Sequence, residues 1–172
     1  MVFLTLVTAD RRGLFAASAA RALLRDAIAR TMAERPWEMV AIVLLPDHLH
    51  MLWRVAPEDG DYSTRVSVLK RRFTRGFLAQ GGGEGPVPRG QRRHRLRGVW
   101  QRRFWEHTIR DGRDFRMHLD YIHLNPVKHG WAGRPGDWAW SSFHRYVKMG
   151  WYESDGCGRC DLPGSVEYLW PE

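Results

Sequence analysis

Residues 40–55 read Val40-Ala41-Ile42-Val43-Leu44-Leu45-Pro46-Asp47-His48-Leu49-His50-Met51-Leu52-Trp53-Arg54-Val55. The first six are a continuous apolar run of strand length. Pro46-Asp47 stops it. A link that short predicts a hairpin, or a bulge that would aim the next residues away from the ladder. The second half reads as another strand. Side chains two apart share a face of a strand. His48 and His50 therefore project side by side, while Leu49, Met51, Trp53 and Val55 line the other face. Two imidazoles at that spacing can bind one cation; the bland alternative is two polar residues on a solvated face.

The flanking sequence supplies the partners of this strand pair. Phe3–Thr8 is a strand and Asp10–Gly13 a turn. Leu14–Arg35 has Leu24, Ala27, Ile28 and Met32 at helical spacing, with Arg21, Arg25 and Arg30 turned mostly outward, and Pro36 ends it. Ala56–Tyr62 is a polar loop. Val66, Leu69, Phe73 and Phe77 form the apolar stripe of a second helix. Gly81–Gly98, rich in Gly, Pro and Arg, predicts a flexible basic loop. Val99–Ile109 reads as a strand and Asp111–Asn125 as a helix that Pro126 ends. Trp138–Met149 reads as a short packed helix. The order strand, helix, strand, strand, helix, strand, helix matches a split βαβ arrangement, an α+β fold with helices on an antiparallel sheet. One domain over 1–149 is expected, with a tail over 150–172.

The 172 residues carry a formal charge of +8. Nucleic acid is the first partner that this charge suggests, and a membrane surface the second. The longest apolar run, Met39–Leu45, is far short of the roughly 20 residues of a spanning helix. The opening Met1–Thr8 lacks a basic n-region and reads as strand rather than signal peptide. Two cysteines, Cys157 and Cys160, cannot build a disulfide framework, and a lone Cys-x-x-Cys is at best half a zinc site. A cytosolic protein without a membrane anchor is expected.

Other metal families that use His-x-His fit poorly. Metallo-hydrolases of the β-lactamase type want Asp-His just downstream, where Met51-Leu52 stand. Histidine-triad hydrolases want a third alternate histidine, where Leu52 stands. Tyr121 and Asn125 are four apart and share a helix face. The amide oxygen could be a third ligand, but on these residues alone a core tyrosine followed by a helix-ending Asn is the favoured reading, because Asn-Pro is a common stop signal. His118 and His123 are alternative ligands, and only His118 shares the face of Tyr121. The basic residues form two clusters, Lys70, Arg71, Arg72 and Arg75, then Arg89, Arg92, Arg93, Arg95 and Arg97. Glu84 is the only acid between Lys70 and Arg103. That imbalance points to phosphate contact. Trp100, Phe104 and Trp105 interleave with Arg102 and Arg103, a pattern suited to stacking on unpaired bases, although aromatics in a strand are more often core.

Leu45-Pro46-Asp47-His48-Leu49-His50, Trp100-Gln101-Arg102-Arg103-Phe104-Trp105-Glu106-His107 and Leu119-Asp120-Tyr121-Ile122-His123-Leu124-Asn125-Pro126-Val127-Lys128-His129-Gly130, with Trp140-Ser141-Ser142 after them, resemble the REP-associated tyrosine transposases. These are single-tyrosine relatives within the HUH endonucleases (histidine, hydrophobic residue, histidine). The likeness runs from about Phe3 to about Met149. It implies a ferredoxin-like or RRM-like sheet with helices on both faces. It also implies His48, His50 and Asn125 as ligands of Mg²⁺ or Mn²⁺, and Tyr121 as a nucleophile that forms a 5′-phosphotyrosine. The substrate implied is single-stranded DNA beside hairpin-forming repetitive extragenic palindromes, and the location the bacterial cytoplasm, at the nucleoid. Relatives include monomers and homodimers. They usually carry an arm before the first strand, whereas this chain starts almost at the strand. The alternative is a non-catalytic binder of hairpin DNA or RNA; a hydrolase of small phosphoesters is a third reading, against which the charge counts.

Overall fold

The computed structural model describes residues 1–56, 58–86 and 97–153. Arg89, Arg92, Arg93, Arg95, Cys157 and Cys160 lie outside them. Four strands, β1 (Val2–Val7), β2 (Glu38–Leu44), β3 (His48–Arg54) and β4 (Trp105–Thr108), form one sheet in the order β2-β3-β1-β4. Every neighbouring pair is antiparallel. This is the split βαβ order expected for an α+β chain.

The β2–β3 link is a hairpin, in which the Leu45 amide donates to the His48 carbonyl at 2.8 Å. The register irregularity falls between Met39 and Ala41, away from the histidines. His48 and His50 therefore stay in the ladder, opposite Val7 and Thr5 of β1. The bulge that would have turned them out is absent there.

The helices α1 (Ser18–Glu34) and α2 (Tyr62–Ala79) cover one face of the sheet. Leu4, Leu6, Leu49, Met51 and Trp53 meet Leu24 and Ala27 of α1 and Val66, Leu69 and Phe73 of α2 there. Truncating one such leucine to alanine typically costs about 2–5 kcal/mol. The helix α3 (Gly112–Lys128) covers the other face, where Leu119 and Ile122 pack on Phe3, Val43 and Leu52. Strand alternation thus buries Leu49 and Met51 under α1 and α2, and sends His48 and His50 toward α3.

Four boundaries differ from the sequence expectations. First, α3 starts at an Asp111 cap, whose carboxylate accepts the Asp114 amide at 2.9 Å, but it runs past Asn125 with Pro126 inside. Asn125 and Pro126 are both buried, and the His129 amide closes the next turn on the Asn125 carbonyl at 3.1 Å. Tertiary burial outweighs the local preference against a helical residue before proline. Second, only α4 (Phe143–Lys148) is helical in Trp138–Met149. The backbone just before it bonds to the open edge of β2 instead, Leu44 N–H to Trp140 O at 2.9 Å and Ser142 N–H to Ile42 O at 2.8 Å. A covered edge cannot pair with another chain. Third, the strand expected over Val99–Ile109 is β4 alone, while Trp100 makes an isolated bridge to Thr8. Fourth, Leu14–Ala16 is a separate 3₁₀ turn ahead of α1, tied to the hairpin by Phe15 N–H to Pro46 O at 2.9 Å.

Two further turns shape the end of the sheet that carries the histidines. After β1, Ala9–Arg11 forms a 3₁₀ turn in which Asp10 (φ 52°) and Arg11 (φ 49°) are left-handed. Such a conformation costs a non-glycine residue roughly 1–2 kcal/mol. The stem of the basic loop closes where Gly85 meets Gly98 (φ 62°), and a side chain on either would strike the other's carbonyl. Arg97 in that stem pairs with Glu84.

Candidate active site

β3 and α3 bring the sequence-distant polar residues together. The rings of His48 and His50 lie edge to face with centroids 4.9 Å apart. The His50 ring meets the Tyr121 phenol edge to face at 5.1 Å. Asn125 is one helical turn beyond Tyr121 and fully buried; its amide makes no hydrogen bond of ordinary geometry, though it is close enough to the phenol to act on its acidity. His48, His50 and Tyr121 are 4%, 2% and 5% exposed, so the cluster is buried with only its edges at the surface.

The orientation of each imidazole is fixed from behind. His48 Nδ1 donates to Asp47 Oδ1 at 2.6 Å. His50 Nδ1 shares a 2.7 Å hydrogen bond with Thr5 Oγ1, its cross-strand neighbour. Neither Asp47 nor Thr5 stands out in the sequence as a site residue. Asp47 is visible there as the residue preceding the motif; Thr5 becomes a partner only through the β1–β3 register.

Two basic side chains and a further imidazole border the cluster. Lys128 Nζ sits 5.5 Å from the centre of the Tyr121 ring. The His129 ring is 5.3 Å from that of His48. Arg11 Nη1 approaches Asp47 Oδ2 at 3.4 Å with its side chain 53% exposed. These charges bear on the titration of the cluster. Burial, then the charges of His48, His129, Lys128 and Arg11, hold His50 well below the usual imidazole range. Burial raises the Tyr121 phenol above its ordinary value, against the opposing pull of Asn125 and Arg11. Burial works to raise the Asp47 carboxyl, but the hydrogen bond and charge of His48 and the charge of Arg11 outweigh it and hold it low.

His118 and His123, the alternative ligands, lie elsewhere. His123 Nε2 bonds Ser142 Oγ at 2.9 Å, beneath Tyr146 and Phe143. His118 joins His107 of β4 and Asp114 in a group whose ligand atoms lie within 4.8 Å of one another and could hold a metal ion. As they stand, the two rings are stacked at 4.6 Å and 13°, so their lone pairs lie in nearly parallel planes. One ring would have to turn for both to face a single ion. In the present geometry Asp114 is the hub, accepting from His107 Nε2 at 2.8 Å and from the Arg110 amide at 2.9 Å. That arrangement staples β4 to the start of α3.

The basic residues divide by what they touch. Arg71 and Arg75 of α2 are exposed, on the side of the sheet away from α3. Arg72 is turned inward to Thr31 (3.2 Å) and Glu34 of α1. Lys70 donates to Gln101 O at 2.8 Å and lies over the rings of Trp100 and Phe104, and burial lowers its pKa to about 8. Arg102 and Arg103 are exposed. They follow Gln101, whose amide bonds Val7 O at 2.9 Å, which places them at the histidine end of β1.

No family model matches the chain. The REP-associated tyrosine transposase of Escherichia coli strain K12 is 42% identical to it over 136 residues, spanning 79% of this chain and 72% of that protein. A Haemophilus influenzae protein assigned by name to the same group is 44% identical over 138 residues, spanning 80% and 77%. A solved structure of a REP-associated tyrosine transposase bound to a REP hairpin is 37% identical, has a TM-score of 0.72 and covers 90% of this chain and 82% of its own. The sheet and its helices are therefore a transposase fold. The chain belongs to the REP-associated tyrosine transposase family.

Proposed function

We propose that this protein cuts single-stranded DNA beside hairpin-forming repetitive extragenic palindromes through a 5′-phosphotyrosine intermediate on Tyr121, with a divalent metal, Mg²⁺ or Mn²⁺, held by His48, His50 and Asn125. The observation that carries the proposal is the meeting of the His50 ring with the Tyr121 phenol, 5.1 Å between centroids, although the two residues are far apart in the chain. The names of the relatives, one of them bound to a REP hairpin, supply the substrate class.

The donor set fits a divalent ion. With Nδ1 of each imidazole engaged by Asp47 or Thr5, Nε2 is the nitrogen each ring would turn to a metal, and such outer partners fix tautomer and raise ligand basicity. Asn125 brings a buried amide oxygen. Mixed imidazole and amide-oxygen ligation does not select one ion firmly. When bound, the ion would polarise a phosphate oxygen and orient it for in-line attack. Tyr121 supplies the attacking oxygen. A free phenol has a pKa near 10, so about one in a thousand is ionised at neutral pH. Burial raises the phenol further here. The Tyr121 Oη–P bond forms as the phenol gives up its proton, the P–O3′ bond breaks and the departing 3′ oxygen takes up a proton. Attack by another 3′-hydroxyl on the phosphotyrosine would rejoin strands without a nucleotide cofactor.

Incubation with a palindrome-flanked single strand and Mn²⁺, followed by mass analysis, tests the proposal. A tyrosine-linked oligonucleotide at Tyr121 is expected, and strand cleavage that survives Tyr121→Phe would reassign the nucleophile. The 5% exposure of Tyr121 favours a second reading, a hairpin binder that does not cut. It predicts complex formation without a covalent product.

A further inference from the structure

We infer that Arg11 is a phosphate-gripping residue of this site: its guanidinium holds a non-bridging oxygen of the phosphodiester that Tyr121 attacks, and Asp47 holds it in reserve when no DNA is bound. The inference rests on the tyrosine-nucleophile reading and adds a residue that neither the HUH pattern nor the basic clusters contain.

Three features of the turn after β1 support it. The first is the shared carboxylate. Asp47 Oδ1 accepts from His48 at 2.6 Å and Oδ2 meets Arg11 at 3.4 Å, so one side chain couples the guanidinium to a histidine of the site. The Arg11 contact is long, single and exposed, and pairs of that kind are weak. A phosphate offers the guanidinium fork a two-point partner instead.

The second is the backbone. Asp10 and Arg11 are the only non-glycine residues with positive φ among those described. Strain of this kind persists where the surroundings over-determine it, and it gathers at ligand clamps. Here the surroundings are the hairpin itself. The Thr8 amide donates to Asp47 O at 2.9 Å, and the Thr8 hydroxyl lies 2.8 Å and 2.9 Å from the carbonyl oxygens of Arg12 and Asp47. The turn that carries Arg11 and the hairpin loop that leads into His48 are therefore bonded directly to each other.

The third is the contrast with the adjacent residue. Arg12 is committed to structure, its guanidinium donating to Gly83 O at 3.1 Å and to Gly98 O at 3.4 Å in the stem of the basic loop. Among the described residues Arg11 instead has only its long contact to Asp47, whose other oxygen holds His48, and the His48 ring adjoins His50, which meets Tyr121. Lys128 stands over the Tyr121 ring from α3. A phosphate at the phenol would thus meet one cation from the sheet side and one from the helix side. Arg11 offsets negative charge on the non-bridging oxygens as the Oη–P bond forms and the P–O3′ bond breaks; it takes no part in the proton transfers.

The test uses the full chain with Tyr121→Phe, so that binding is measured without cleavage. The ligands are REP hairpins with a single-stranded flank, each carrying one uncharged methylphosphonate at a different position along the flank. Arg11→Ala should weaken binding of the all-phosphate strand on the order of tenfold, as removal of a charge-assisted hydrogen bond does. At one methylphosphonate position the parent and the Arg11→Ala variant should bind equally, and Arg11→Lys should recover part of the deficit on the unmodified strand. Arg11→Gly, which suits the left-handed backbone, serves if the alanine variant fails to fold. That position should coincide with the bond cut by the protein with Tyr121 intact. An equal deficit on every strand, or a match at a bond other than the cut one, would overturn the inference. A position-specific effect with no covalent adduct on the intact protein would instead sink the tyrosine reading and leave Arg11 as a phosphate contact.

Discussion

The phenol of Tyr121 and the imidazole of His50 stand edge to face, 69° between planes, on elements that meet only across the sheet–helix interface. Tyr121→Phe keeps the ring and so the packing with His50 and Phe3. Hairpin binding and folding should change little. Covalent adduct formation should fall below detection on a denaturing gel.

Thr5→Val keeps the shape of a buried strand residue and removes the hydroxyl that holds His50 Nδ1. Loss of an outer partner of a metal-binding histidine typically costs about 10–100-fold in metal affinity. The Mn²⁺ concentration for half-maximal cleavage should rise by that order, with hairpin affinity in the absence of metal unchanged. An unchanged Mn²⁺ titration would remove His50 from the ligand set.

Exposed and engaged arginines should separate in salt titrations. Arg102→Ala with Arg103→Ala should flatten the dependence of log K on log salt by about 0.7–0.9 for each phosphate no longer neutralised. Arg72→Ala should leave that slope alone and instead lower the urea midpoint, because its guanidinium ties α2 to Thr31 and Glu34 of α1. Fluorescence anisotropy at several salt concentrations reads the first, and urea unfolding the second.

His123 gives a pH signature of folding. Burial holds its folded pKa at about 3, far under the ordinary value of 6.5. Between those values the unfolded chain binds a proton that the folded chain does not. Stability should therefore fall as pH drops from 6.5 toward 3, by about 1.4 kcal/mol per pH unit for one proton. Other buried histidines add in the same direction, so the readout is a difference. His123→Gln, which can still meet Ser142, should show a shallower slope over that window than the parent.

The strands and the helical stripes were legible because burial writes a period into sequence. The apolar run Val40–Leu45 falls on β2 but for its last residue, the alternation of His48–Val55 on β3 but for its last, and the Val66–Leu69–Phe73 stripe on the buried face of α2. The misplaced boundaries share a cause. Asn125-Pro126 reads locally as a stop, yet both residues are buried inside α3, and Trp138–Ser142 reads as helix, yet it serves the open edge of β2. In each case a partner distant in the chain overrode the local preference.

The site divides in the same way. The chain alone determined which residue types were present and which pairs shared a face, His48 with His50 at a spacing of two and Tyr121 with Asn125 at a spacing of four, because those relations follow from backbone geometry. Only the tertiary structure decided that the two pairs meet, that Thr5 and Asp47 stand behind the imidazoles, and that Arg72 turns inward while Arg11 stays at the rim. Those relations depend on strand register and on which face a helix covers, which are set by contacts between segments dozens of residues apart and leave no periodic trace in either segment.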